Sequence, residues 1–179
     1  MPLEVPRETS GEAVELFFSP VAELLCLMHF LCSERHVQQD PVWSRSVRES
    51  LSERSRSFLS LLATQNWAGM AHLELPLVLG EFRDTAGFAE KLKSMDLGDF
   101  LFILFNSEVP RERLEAVRKD PSFFDELYGE LSWIVSGKYE TIRFTLLEGE
   151  KFLGDFIHLF EELDGPGFRD KIGECEKQY

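Results

Sequence analysis

A chain of 179 residues has the length of one domain with short appendages, enough to bury about 70% of its unfolded surface. Its 32 carboxylates face 19 Lys and Arg, and the net charge of −13 excludes nucleic-acid binding by a broad basic face, because phosphates must be neutralised. Sixteen Phe, which carry no polar atom, exclude a disordered chain and call for a large apolar interior or an apolar pocket.

Residues 1–13 are polar and read as a loose N-terminal segment. Residues 14–18 alternate Val14, Leu16 and Phe18 with Glu15 and Phe17, a short strand-like piece or an extended arm. Ser19-Pro20 then supplies a helix start, with Ser as cap and Pro at the first helical position. Val21, Leu24, Leu25, Met28, Leu31 and Cys32 follow at helical spacing, and this helix should end near Glu34. Asp40-Pro41 is a second start of the same kind, leading into Trp43, Val47 and Leu51. Ser52 should cap a third helix with Phe58, Leu59, Leu61 and Leu62 inward.

Pro76 forbids an uninterrupted helix over residues 72–82, which reads as a loop or short turn. Helical spacing returns from Thr85 with Phe88 and Leu92 inward. Residues 97–105 are apolar on nearly every side and predict a buried central element, helical by its neighbourhood. Pro110 opens a charged helix reaching about Lys119, and Asp120-Pro121 opens one with Phe123, Phe124, Leu127, Tyr128, Leu131, Ile134 and Val135 on its stripe. Ser136-Gly137 ends it. A single last long helix carries Ile142, Leu146, Leu153, Phe156, Ile157, Phe160 and Leu163, with Gly149 and Gly154 inside it, and Asp164-Gly165 stops it. The expectation is an all-α bundle of about seven or eight helices over residues 14–164, opening on the short extended arm, with a polar tail over residues 165–179.

The three cysteines Cys26, Cys32 and Cys175 make no paired framework and suit a reducing, cytoplasmic setting. No apolar run reaches about 18 residues, and the N-terminus lacks a signal-peptide pattern. No membrane association is expected.

Cys26, His29, Cys32 and His36 fall on one face of the first helix and are soft-metal ligand types. The spacing matches no familiar structural zinc motif, and Cys26 and Cys32 also read as small core side chains. No resident metal or other cofactor is expected. No GxSxG, P-loop or GxGxxG pattern occurs, so no catalytic residue is assigned and the chain reads as a non-enzyme.

Trp43, Phe100, Phe102, Tyr128, Trp133 and Phe156 are the candidate lining of a pocket for an apolar or cationic aromatic ligand, although aromatics at helical spacing are more often core. Arg35, Arg45, Arg48, Arg54 and Arg56 form the densest basic run. Glu34, Asp40, Glu49 and Glu53 interrupt it, and it reads as a solvated helix face.

Residues 14–24, with the run Leu16-Phe17-Phe18-Ser19-Pro20-Val21-Ala22-Glu23-Leu24, together with Leu27-Met28-His29, the pattern Trp43-x3-Val47-x3-Leu51-Ser52 and the segment Asp96-Leu97-Gly98-Asp99-Phe100-Leu101, resemble a family of ArsR-like bacterial transcriptional regulators. The resemblance implies a helical N-terminal domain that dimerises, senses an effector, or both, ahead of a C-terminal winged helix. Residues after Asp164 are too few for such a DNA reader, so DNA contact is expected only through a domain outside this chain. The partner surface of a homodimer is assigned to Leu16 and Phe18 of the arm and to the first helix. A stand-alone ligand-binding or protein-interaction domain with an acidic surface is the alternative reading.

Overall fold

The chain's local starts and stops set its helices. In a computed structural model, residues 18–63, 71–105, 107–131, 139–165 and 168–169 are described, and among them the structure is all-α with no strand. Helix α1 spans Pro20–Cys32. Its cap Ser19 accepts from the Ala22 N–H at 3.1 Å and donates its own hydroxyl to the Phe82 carbonyl at 2.7 Å, so one side chain both starts α1 and ties it to a distant segment. A short α2, Glu34–Val37, follows. Asp40 accepts from the Trp43 N–H at 3.0 Å and starts α3, Pro41–Ser50. Ser52 caps α4, Glu53–Ala63, through the Ser55 N–H at 3.2 Å.

The stretch around Pro76, read as a loop or short turn, holds a turn followed by a short helix. A 3-10 turn, Ala71–Glu74, runs into α5, Leu75–Leu79. Pro76 sits in the first turn of α5, where its missing N–H is an orphan in any helix. Gly80, at φ 59°, closes α5 in the left-handed conformation that glycine alone adopts without strain.

Next come α6, Thr85–Ser94, and α7, Leu97–Leu104, the latter capped by Asp96 on the Gly98 and Asp99 N–H groups. Helix α8 is Arg111–Lys119, and a 3-10 turn, Pro121–Phe123, leads to α9, Phe124–Leu131.

The single long last helix expected from sequence is two: α10, Tyr139–Leu147, and α11, Gly149–Leu163. The break lies at Glu148. At Gly149 the backbone approaches Leu97 so closely that an added Cβ would stand 3.1 Å from Leu97 Cδ2, so the glycine permits contact with α7. With such splits the described residues carry more and shorter helices than seven or eight. The loose N-terminal segment, Leu16, Ile134, Val135, Ser136-Gly137 and the tail beyond Arg169 lie outside the described residues.

Helix α11 is the hub, with α1, α4, α6, α7 and α10 packed around it. Its Phe152, Phe156 and Phe160 are at most 1% exposed. Phe156 meets Phe100 of α7 edge-on at 5.6 Å, Phe152 meets Phe58 of α4 at 5.0 Å, and Phe160 meets Phe88 of α6 at 5.0 Å. Each such pair adds about 0.5–1.5 kcal/mol beyond the area it buries. No helix among the described residues is long and apolar enough to cross a membrane.

Candidate functional site

Helix α3 differs from this core. Its sole buried residue is the polar Ser44, whose hydroxyl donates to the Asp40 carbonyl at 2.7 Å. Trp43 rests against Phe30 at 5.8 Å and keeps α3 at the periphery. Pro41, Ser44, Arg45, Arg48 and Glu49 recur at spacings of three and four and share one helix face. With Val37 of α2 and Arg56 of α4 they line a groove of about 370 Å³, within the range of small-molecule sites.

The groove's arginines are held by carbonyls. Arg48 donates from Nη2 to the Leu31 carbonyl in the last turn of α1. Arg56 donates from Nη1 to the Leu51 carbonyl, which caps α3, at 2.6 Å. Both bonds satisfy acceptors that helix ends leave open. Among the described residues, no carboxylate lies within 4 Å of Arg45, Arg48 or Arg56, whereas Arg54, Lys93, Arg113 and Arg118 all have one. Arg48 Nε is buried and has no partner among the described residues, an arrangement that costs on the order of 1–3 kcal/mol when nothing compensates it. The basic run read as a solvated face thus divides. Arg54 pairs outward with Asp155 at 2.6 Å, while Arg45, Arg48 and Arg56 converge.

The Cys and His face of α1 separates in space. Cys26 is exposed and Cys32 is half-buried. Burial and then Glu23 push the Cys26 thiol up. Burial takes Cys32 up to about 12 against the opposing charge of Arg48. Protonated thiols are poor ligands and poor nucleophiles. The histidines do gather: His29 lies 5.3 Å from His36 and 6.4 Å from His72 between ring centroids. Burial, outweighing a hydrogen bond to the Leu25 backbone, lowers His72 to about 4, with His29 adding to the fall. Burial, then His36, lowers His29. Among the described residues, no three His, Cys, Asp or Glu side chains are placed to hold a metal together.

One constellation was invisible in the sequence. Ser52 Oγ donates to Glu162 at 2.9 Å and lies 3.3 Å from His158 Nε2, and Ser55 Oγ also donates to Glu162. Serine, histidine and a carboxylate together invite a hydrolase reading, but a catalytic relay needs the carboxylate on the far imidazole nitrogen. Here Glu162 itself accepts the hydrogen bond from the serine hydroxyl and approaches the same Nε2 at 3.7 Å. Glu162 also accepts from the Ser52 backbone N–H at 2.6 Å. Burial works to raise its pKa, yet the bonds from Ser55 and Ser52 and the charge of His158 hold it low. The group is suited to anchoring the start of α4 on α11.

The aromatic residues proposed as one pocket are dispersed. Phe100 and Phe156 are core partners. Trp43 faces Phe30, Phe102 lies under the Arg111 guanidinium at 4.9 Å, and Tyr128 belongs to a ring trio with Phe124 and Tyr139. Trp133 lies outside the described residues. Of the arm's partner surface, Leu16 lies outside them too, and Phe18 is half-buried. The apolar stripe of α1 is spent on the core, with Val21, Leu24, Leu25 and Leu31 fully buried. No family model, curated protein or solved structure matches this chain.

Proposed function

We propose that this chain is a non-catalytic, effector-sensing regulatory domain, cytoplasmic and self-associating, of the kind that accompanies a separate winged-helix DNA reader in ArsR-like bacterial regulators. One observation carries the sensing part: a groove of about 370 Å³ at the edge of a closed core, bounded by α2, α3 and the first turn of α4. An occupant there would touch α3 and α4 directly. Through Arg48 it would also reach the Leu31 carbonyl at the end of α1. Helix α1 packs on α4, α6 and α11, so a change at its end is felt by the hub. The acidic charge supports a division of labour in which another domain meets DNA.

The test is a fragment screen by protein-observed NMR on the full chain. Binders that shift the backbone amides of residues 37–56 are the expected result. A diverse library without binders, or binders confined to other faces, would overturn the assignment.

A further inference from the structure

We infer that the groove takes a small organic anion, a carboxylate or phosphate head on a short apolar body. The inference rests on reading the groove as the effector site, and it names the ligand class.

Three guanidiniums and one carboxylate, Glu49, line the groove in a chain of net charge −13. A guanidinium offers five N–H donors in a planar fork that matches carboxylate and phosphate oxygens. The carbonyl bonds of Arg48 and Arg56 fix their side chains and engage one nitrogen of each. Arg48 Nε remains buried without a partner among the described residues, and an anionic oxygen is the acceptor that best suits a desolvated cationic donor. Val37 and Pro41 form the apolar part of the lining and give a hydrocarbon body a place to rest.

Charge also sets the ligand's size. A polyanion such as nucleic acid or an acidic peptide would meet the negative field of the whole chain. A small anion seated in the groove meets the three arginines at short range. This class differs from the apolar or cationic ligand expected from the Phe content, because none of the groove's lining residues is a Phe, and Phe88, Phe100, Phe152, Phe156 and Phe160 are spent in the core.

The experiment is a set of calorimetric and NMR titrations of the full chain with benzyl phosphate, benzyl alcohol, inorganic phosphate and a poly-glutamate peptide. Benzyl phosphate should bind at residues 37–56 at least about tenfold more tightly than benzyl alcohol or inorganic phosphate, a gap of one charge-assisted contact or more. Arg48→Gln should weaken it about tenfold. Arg45→Gln and Arg56→Gln, at exposed positions, should each weaken it severalfold and serve if Arg48→Gln does not fold. Arg111→Gln, remote from the groove, should leave binding unchanged.

Equal binding of benzyl alcohol at the groove overturns the anion class and leaves the effector site standing. Equal binding of inorganic phosphate overturns the organic body. Binding of the peptide alone at the groove overturns the small-ligand reading in favour of a docking surface. No binding by any probe overturns the anion class, and a fragment screen that is also empty removes the effector site with it.

Discussion

The core around α11 and the α2–α4 corner are built on opposite terms. In the core, Phe88, Phe100, Phe152, Phe156 and Phe160 are at most 1% exposed and touch ring to ring. In the corner, helix α3 buries a serine, and the buried Arg48 Nε has no partner among the described residues. The core maximises burial, which stabilises. The corner keeps that one donor uncompensated at some cost in stability, which is how binding sites commonly differ from the scaffolds that hold them. The Glu162 network differs from both, because its half-buried carboxylate is engaged by Ser52 and the buried Ser55.

Substitutions in each region should separate the two. Phe156→Ala removes a fully buried ring from the hub and should cost about 3–5 kcal/mol in urea denaturation. A loss under about 1 kcal/mol would mean the core is not closed there.

The histidine group should make stability depend on acid. Folding lowers His72 from 6.5 to about 4, so the folded chain resists a proton that the unfolded chain accepts. The stability present above pH 6.5 is therefore lost as the pH falls toward 4, by about 3 kcal/mol in all. His72→Gln should flatten that slope, measured by denaturation between pH 7 and 4.

Glu162→Gln removes the charged acceptor shared by Ser52 and Ser55 and should cost about 1–3 kcal/mol. The sign with pH follows from its lowered pKa. Its contribution is present above the ordinary carboxylate range and disappears as the pH falls through the folded value, so wild type and variant should converge in acid. Asp40→Ala, at an exposed cap, should cost only about 1 kcal/mol. Its effect should appear as faster amide exchange confined to α3, with the core unchanged.

Much of the fold was legible because it is written in local chemistry. Ser19-Pro20, Asp40-Pro41 and Asp120-Pro121 each open a helical segment where cap and proline predict one. Phe88, Leu92, Phe100 and Phe156 are buried as their spacing requires. The misreadings have contextual causes. Pro76 breaks a helix only from its interior, and here it stands in the first turn of α5. At the division near Glu148, Gly149 comes close to Leu97, a contact between segments far apart in sequence that spacing does not reveal.

The site was less legible than the fold. Arginines and carboxylates alternate along residues 34–56, and alternation suggests mutual neutralisation. Folding sends Arg54 to Asp155 and turns Arg45, Arg48 and Arg56 to a common groove. A usable signal was present in Ser44, a polar residue on the same helix face as Arg48. The Ser52–Glu162 contact spans more than a hundred positions and left no trace in spacing.

If the α2–α4 groove is a ligand site, the Arg48 Nε–H, which has no partner among the described residues, gains an acceptor when the groove fills. The most direct measurement is the NMR signal of the Arg48 Nε–H during titration with benzyl phosphate. This signal should move downfield and exchange more slowly with water at saturation, while the Arg111 signal stays in place. An Arg48 signal that does not move, while resonances on another face do, would contradict the assignment of the groove.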